Sequence, residues 1–508
     1  MSVIRKATQS LVWMFADSWL SLIWGVAYMA IMARILGPDV FGIMALAGAC
    51  LGIVGIFVSD TLTEGLKQFD TLNRGHENAA FWLNTGLSFA FAVLVCLIAS
   101  PLATYLGSDI LAQILPIMAV ISFIATISDV PEALLERHLE HKKIVILETI
   151  IALPTTLLAI CLALLGFGIW SLIISSAIST LISTIALFWL AKWKPGIEMS
   201  RQHVRDTTQF ARDTFFTKVL EFLDGAIPVF ALGYFVGERA LGLYSIAMNL
   251  ASQFSGLLMG PLSEIAMTVV ARLQNSLDQI RKLLDDVFQV TTFVMYPAII
   301  GACLIAPLAA SWMLGDKWAG IEIPLVIALL LGLRHATGDF NIAILRGLGD
   351  TRSPLIILGV GVLILLILLP FALPFGLTGV MVLVAVRIFA TWPLSAWFLE
   401  RRADYPAHRQ FTVGWRALIC ALVMAGAVLS ALSIQLIVSA SAIIQMAIAI
   451  TLGVLVYLSL YILVWPQRLR EGVSALKSQI LSESAIEIDE NESVSTVHER
   501  QKAKVLGT

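Results

Sequence analysis

An all-α polytopic membrane protein, built as two pseudo-symmetric six-helix lobes with two extra C-terminal helices, follows from three observations on this 508-residue chain. Apolar residues make up 58% and charged residues only 13%, too few charges to cover a water-facing globule. The apolar residues gather into fourteen windows of about 20 residues or more, the length that crosses the hydrocarbon of a bilayer. The chain also repeats itself at a spacing of about 200 residues. Leu36-Gly37-Pro38-Asp39-Val40-Phe41-Gly42-Ile43 returns as Val236-Gly237-Glu238-Arg239-Ala240-Leu241-Gly242-Leu243, and Leu62-Thr63-Glu64 returns as Leu262-Ser263-Glu264. A second echo, at about 210, sets Asp129 and Ala133-Leu134-Leu135 against Asp339 and Ala343-Ile344-Leu345. Duplicated helical units in an apolar chain put a substrate site between them.

The first six windows are 10–34, 40–59, 79–100, 108–129, 143–165 and 168–191. The next six are 213–236, 240–270, 287–310, 322–346, 353–372 and 376–399, and the last two are 413–434 and 440–464. Turn residues or charges separate them, as at Gly37-Pro38, Gly166-Phe167-Gly168, Gly315-Asp316 and Pro374-Phe375-Gly376. The first window is too long for a signal-peptide core and reads as a helix. The organisation expected is an N-terminal lobe over 1–192, an amphipathic linker over 193–211, a second lobe over 212–399, helices 13 and 14 within 400–465 and a polar tail over 466–508. Serine and glutamate dominate that tail, a composition that does not fold alone.

Lysine and arginine set the orientation. With the N-terminus inside, the inner segments hold Arg137, Lys142, Lys143, Lys192, Lys194, Arg281, Arg346, Arg401, Arg402 and Arg409 among others, and the outer segments only Arg34, Arg239 and Lys317. An even helix count returns the C-terminus to the cytoplasm. Because six helices separate the repeats, the pseudo-axis runs along the membrane normal. The five cysteines are scattered through apolar runs as packing residues, and no metal-ligand spacing is present among the histidines. No glycine-rich phosphate loop ends in Gly-Lys, so neither ATP nor any other cofactor is expected. Nucleic acid is not an expected partner, and the reading is of a protein that is not an enzyme.

Charges inside the membrane cost on the order of 3 kcal/mol and face a partner or a water-filled cavity. Lys218, Glu221, Asp224 and Pro228 recur at helical spacing on one face of the seventh window. Trp13, Asp17, Ser21, Trp24 and Tyr28 form a polar and aromatic stripe on the first. The two windows are equivalent in the repeat, so the stripes are expected to face each other across the pseudo-axis. The tenth window adds Arg334, His335 and Asp339, and the twelfth adds Arg387.

Ala33-Arg34-Ile35-Leu36-Gly37-Pro38-Asp39-Val40-Phe41-Gly42 resembles the "aRlLgpeefG" hallmark of the polysaccharide exporters, the Wzx-type flippases of the multidrug/oligosaccharidyl-lipid/polysaccharide (MOP) superfamily. Leu134-Leu135-Glu136-Arg137 with Lys142-Lys143 resembles a basic segment of that family, and Leu345-Arg346-Gly347-Leu348-Gly349-Asp350-Thr351-Arg352 its "aLGrt" turn. The resemblance covers nearly the whole chain. It implies a MATE-like two-lobed fold in the bacterial inner membrane that passes polyprenyl-pyrophosphate-linked oligosaccharide through a central cavity by alternating access. It also implies a role in exopolysaccharide, capsule or O-antigen synthesis. Membrane lipids, and the polysaccharide polymerase and chain-length machinery, are the partners implied.

On that reading Arg334 and Arg387, with Lys218 and Arg34, form a cationic chamber for the phosphate headgroup, since guanidinium forks match phosphate oxygens. Asp17, Glu221, Asp224 and Asp339 are candidates for carrying a coupling ion. Internal pairing, of Arg334 with Asp339 and of Lys218 with Glu221 or Asp224, is the alternative use of the same charges, and a helix-end Arg34 is also an ordinary snorkelling site. Trp13, Trp24 and Tyr28 are candidates for stacking on sugar rings, or for packing and interface positions. A cation-coupled drug exporter of the same superfamily shares the fold but calls for acidic rather than arginine-rich surroundings. A membrane glycan polymerase or ligase calls for a large outer loop, and the longest here, around Gly315-Asp316-Lys317, has about a dozen residues.

Overall fold

The computed structural model describes residues 24–57, 66, 72–138, 140–198, 200–272, 277–350, 352–434 and 440–464. Among them every regular element is a helix. Fourteen long helices fall on the fourteen apolar windows. They are α1 (Trp24–Leu36), α2 (Pro38–Phe57), α3 (Arg74–Leu106), α4 (Asp109–Ile127), α5 (His141–Leu164), α6 (Ile169–Ala191) and α7 (Arg201–Phe235). After them come α8 (Glu238–Arg272), α9 (Leu277–Leu314), α10 (Glu322–Gly347), α11 (Arg352–Ala372), α12 (Gly376–Ala403), α13 (Trp415–Leu432) and α14 (Ala442–Val464). By length and hydropathy alone, nine spans among the described residues are fit to cross a membrane, the 52-residue stretch Arg352–Ala403 counting as one although it holds both α11 and α12. The helix α7 is 35 residues long and carries Lys218, Glu221 and Asp224 within its apolar part.

The duplication is visible in the backbone. Gly37 ends α1 with φ 86° and Gly237 ends α7 with φ 112°, a left-handed turn at the same place in each repeat, where a side chain would be strained. Gly168 before α6 (φ 54°, ψ −129°) and Gly376 at the start of α12 (φ 59°, ψ −140°) match in the same way. In the first repeat Asn84 of α3 donates to the carbonyl of Thr126 at 3.2 Å. In the second Thr291 of α9 donates to that of Ala336 at 2.6 Å. Both bonds lie at the offset of about 210 that relates Asp129 to Asp339.

The helix ends define two faces. The glycine turns at Gly37, Gly237 and Gly315 lie together on one; Arg137, Lys143, Lys192, Arg281, Arg402 and Arg409 lie on the other, called here the basic face. One apolar core draws on both repeats near the glycine-turn face, with Leu46, Leu111 and Leu115 beside Leu241, Ile246 and Leu329. Toward the basic face the cores are separate: Leu66, Ala80, Phe81 and Val130 in one repeat, Leu284, Phe288, Phe340 and Tyr405 in the other. The two extra helices add to the second repeat, and Tyr457 of α14 donates to the carbonyl of Phe293 in α9 at 2.8 Å.

The stretch expected to be a linker over 193–211 is shorter as such. Residues 192–200 form the connection, and Arg201 already opens α7, its N-cap Ser200 closing a reciprocal pair of hydrogen bonds with His203. The connection is clamped to the start of α3: Asn78 holds Gly196 and Glu198, Trp82 donates to the Gly196 carbonyl at 2.9 Å and Trp193 donates to Glu77 at 2.7 Å.

Candidate functional site: a buried charge cluster in the second repeat

Asp224 of α7, Arg334 of α10 and Arg387 of α12 each lie about 11 or 12 residues from the glycine-turn end of its helix. At 1.5 Å per residue that is about 16 to 18 Å, near the middle of a hydrocarbon layer about 30 Å thick. Two of the side chains meet there, and the third brings its charge close to them. Arg387 Nη1 lies 2.6 Å from Asp224 Oδ2, both side chains under one-fifth exposed. Arg334 is 8% exposed, and its charge reaches Asp224 together with those of Arg387 and Glu221. Tyr244 of α8 is also buried, close enough to feel the charges of both members of the pair. Arg387 Nε and Asp224 Oδ1 are buried without a hydrogen-bond partner, so the cluster retains donor and acceptor capacity.

Small residues make the room. A Cβ on Gly338 would come 2.9 Å from Arg334 Nε and 3.3 Å from Trp392 Cδ1, so only glycine lets the Arg334 side chain lie along its own helix against Trp392. Beside Gly361 of α11 lies the Arg387 stem, 3.7 Å from where a Cβ would be. Behind the cluster, Asn341 donates to Ser395 at 3.0 Å and to Gln410 at 2.9 Å, a fully buried network tying α10 to α12.

Along α7 the charges continue toward the basic face and become more exposed. Glu221 binds Arg346 at 2.9 Å, with Lys218 at 3.8 Å from its other oxygen; the side-chain exposure of Glu221 is 37% and of Arg346 47%, against 18% for Asp224. A polar seam therefore runs from mid-depth to the basic face. Of the two carboxylates named for Lys218, it is Glu221 that lies within ion-pair distance. Arg387, for which no internal partner was named, lies against Asp224, on a helix 163 residues earlier. Arg346 had no assigned role, since its place in a basic turn gives no sign that α7 crosses beside it.

Of the stripe on α1, the described residues Trp24 and Tyr28 contact their own repeat. Trp24 donates to Thr156 of α5 at 3.2 Å, and Tyr28 packs with Met32, Ala159 and Ala163. Trp13, Asp17 and the side chain of Asp339 lie outside the described residues. Arg34 is not in the charge cluster: it is exposed at the glycine-turn face, where its Nη1 faces the Trp312 carbonyl at 3.4 Å.

That face is sealed between the repeats. A Cβ on Gly42 would overlap the Glu238 carbonyl, and one on Gly242 would overlap that of Pro38. The repeated glycines are thus each other's contact, reciprocal across the pseudo-axis. Lys317 Nζ donates to the Ile35 carbonyl at 2.7 Å and Trp318, 1% exposed, donates to that of Ala33 at 2.8 Å.

At the basic face the turn Leu348–Arg352 is pinned by Asp350. Two hydrogen bonds from Ser353, at 3.1 and 2.7 Å, and Arg402 at 2.6 Å converge on it. Burial alone would push this carboxyl up, but these partners outweigh it and hold it below the ordinary carboxylate range. Nearby, Asp285 receives Tyr405 at 2.7 Å and Arg409 at 2.8 Å, and burial and that carboxylate raise the Tyr405 hydroxyl.

The sequence profile of the family described as "Polysaccharide biosynthesis protein" matches residues 31–322. The chain belongs to this family. As a member of it, the chain is 27% identical over 323 residues to the succinoglycan biosynthesis transport protein ExoT of Rhizobium meliloti (strain 1021), a match covering 63% of this chain and 65% of that protein. It is 22% identical over 348 residues to the lipopolysaccharide biosynthesis protein WzxC of Escherichia coli (strain K12), covering 67% and 69%. Among solved structures, the lipid II flippase MurJ in an inward closed conformation superposes with a TM-score of 0.70 at 14% identity, over 91% of this chain and all of that one. An inward-facing multidrug resistance MATE transporter of the MOP superfamily gives 0.52 at 15% identity, over 78% and 94%. The chain has the fold of these two transporters. Its charge cluster lies in α7, α10 and α12, and of these helices only α7 and the first residue of α10 fall within the matched range.

Proposed function

We propose that the protein is a flippase that moves a polyprenyl-pyrophosphate-linked oligosaccharide across the bacterial inner membrane, with both termini cytoplasmic and the basic face inside. The positive-inside asymmetry supports that orientation. The names of the curated relatives, in succinoglycan and lipopolysaccharide synthesis, support a surface polysaccharide as the product.

The observation that carries the reading is the mid-depth cluster of Arg334, Arg387 and Asp224 at the head of a seam that opens inward, beneath an outer side sealed by Gly42 and Gly242. A pyrophosphate cannot enter hydrocarbon unpaired, and two guanidinium groups match its oxygens. Arg387 is held ready by Asp224, and the substrate phosphate competes for it. The glycan enters from the inside between the separate lower cores, the prenyl chain stays in lipid, and the lobes rock about the shared core so that the outer seam parts. The first six helices, α7 to α12, and the added pair α13 and α14 act as the three bodies of this motion. A polymerase and chain-length proteins then consume the product on the outer side.

Arg334→Ala and Arg387→Ala are expected to abolish export, measured as surface polysaccharide, while the protein remains in the membrane. The double variant Arg387→Ala/Asp224→Asn separates the roles. If Arg387 binds phosphate, the double variant stays inactive. If the two residues serve only to neutralise each other, it regains export, because removing one member of a buried pair costs about 3–5 kcal/mol and removing both need not.

A further inference from the structure

The strongest unassigned site is a groove of about 730 Å³ between α1 of the first lobe and α8, α9 and α10 of the second. Ala27, Ile31, Phe254, Ile305, Ala309 and Leu325 are among its walls, nearly all apolar, and Arg34 stands at its outer end beside the half-exposed Trp312. A groove of this size is within the range of small-molecule sites. Its lining is divided by depth: hydrocarbon along the outer half of α1, and the guanidinium of Arg34 at the level where α1 ends.

The pseudo-symmetric place in the other lobe is different. At the 200-residue offset Arg34 corresponds to Tyr234, and Tyr105 lies near the end of α3, the counterpart of α9. Those two rings stack on each other with centroids 5.2 Å apart and planes 18° from parallel. One side of the duplicated frame is closed by an aromatic pair, and the other is left as an apolar groove with a cation at its mouth. Arg34 contacts the Trp312 carbonyl only at 3.4 Å, a long hydrogen bond for a guanidinium, so an anion arriving from the outer leaflet meets little competition.

We propose that this groove is the outer-leaflet exit site of the transported lipid, holding its isoprenoid chain between α1 and α8–α10 with its phosphate on Arg34. The proposal rests on the flippase reading for the identity of the lipid. It makes the two lobes unequal: the lipid leaves by the Arg34 side and not by the Tyr105–Tyr234 side. A phosphate at Arg34 also lies against the Trp312 carbonyl and the Gly315 turn, where Lys317 latches the lobes, so departure of the lipid and closure of the outer seam involve the same residues.

The test uses the full chain in nanodiscs of phosphatidylethanolamine and phosphatidylglycerol, with polyprenyl phosphate carrying a diazirine in its chain as the probe. Adducts are mapped by mass spectrometry. No glycan, gradient or turnover is needed, so the result does not depend on whether Arg334 and Arg387 serve transport. Adducts are expected on Ile31, Phe254 and Ile305. Arg34→Ala should lower labelling roughly fivefold, the effect of about 1 kcal/mol for one cation beside an anionic headgroup, and Arg34→Lys should keep most of it. Ala309→Trp, or Ala27→Phe from the opposite wall, should block labelling with Arg34 intact; gel filtration of each variant shows that it is folded. Equal labelling by diazirine phosphatidylglycerol would make the groove an ordinary lipid contact. That result, or adducts confined to other helices, or labelling unaffected by both filling variants, overturns the proposal.

Discussion

Arg387 and Asp224 illustrate how a single contact changes the meaning of two residues. Apart, one reads as a candidate phosphate ligand and the other as a candidate ion carrier; at 2.6 Å they are a neutral unit, and on the proposed function a dianionic headgroup has to compete with Asp224 for Arg387. The glycines at the outer seam act at the same scale. Gly42→Val puts a side chain where the Glu238 carbonyl lies, so the outer side cannot close. Expected is a rise of several-fold in labelling of an introduced cysteine at Asn249 by a membrane-impermeant reagent from outside, with export lost; unchanged labelling would mean that Gly42 is not at the seam. Asp350 gives a pH test. Its carboxyl titrates below the ordinary range in the folded chain, so its contribution is fully present above the unfolded value of about 3.9 and is lost as pH falls through the lower folded value. Asp350→Asn should therefore lower the apparent Tm at pH 7, consistent with about 1–3 kcal/mol for weakened charge-assisted bonds, and the gap to wild type should narrow as the pH falls below the ordinary carboxylate range.

Among the elements, hydropathy was sufficient for existence and order: all fourteen helices lie on windows readable from the apolar runs, because about 20 apolar residues in lipid have few alternatives to a helix. The turns were legible too, since Gly37, Gly237 and Gly376 interrupt those runs where the backbone needs a positive φ. Less visible was which neighbour each helix face meets. Periodicity put Trp24 and Tyr28 on one face of α1 but not against α5, and it put Asp224 on an inward face of α7 without revealing that Arg387 waits there. Partners 163 residues apart leave no mark in spacing. The amphipathic stretch after Arg201 has the polarity of a surface segment and reads as linker, whereas it is the first part of α7. Orientation is tested on the loops. In a cysteine-free background, single cysteines at 137–143 and 401–409 should label from the cytoplasm and those at 316–317 from outside; residues 316 and 401 labelling from the same side would refute the assignment.

For the molecule as a whole, the two repeats meet in one apolar core near the glycine-turn face and keep separate cores toward the basic face. The charged seam lies in the second lobe, and the first contributes the sealing partners Gly42, Ala33 and Ile35. The duplication thus supplies a frame whose halves have diverged in chemistry, with the buried charge cluster on one side. The most direct measurement is transport by the purified chain in vesicles, using polyprenyl-pyrophosphate oligosaccharide with a fluorescent sugar and an impermeant quencher. The account predicts that the protein makes the glycan change leaflets many times faster than in protein-free vesicles, and that Arg334→Ala/Arg387→Ala returns the rate to that background. Movement at the wild-type rate in the double variant, or none in the wild type, would contradict it.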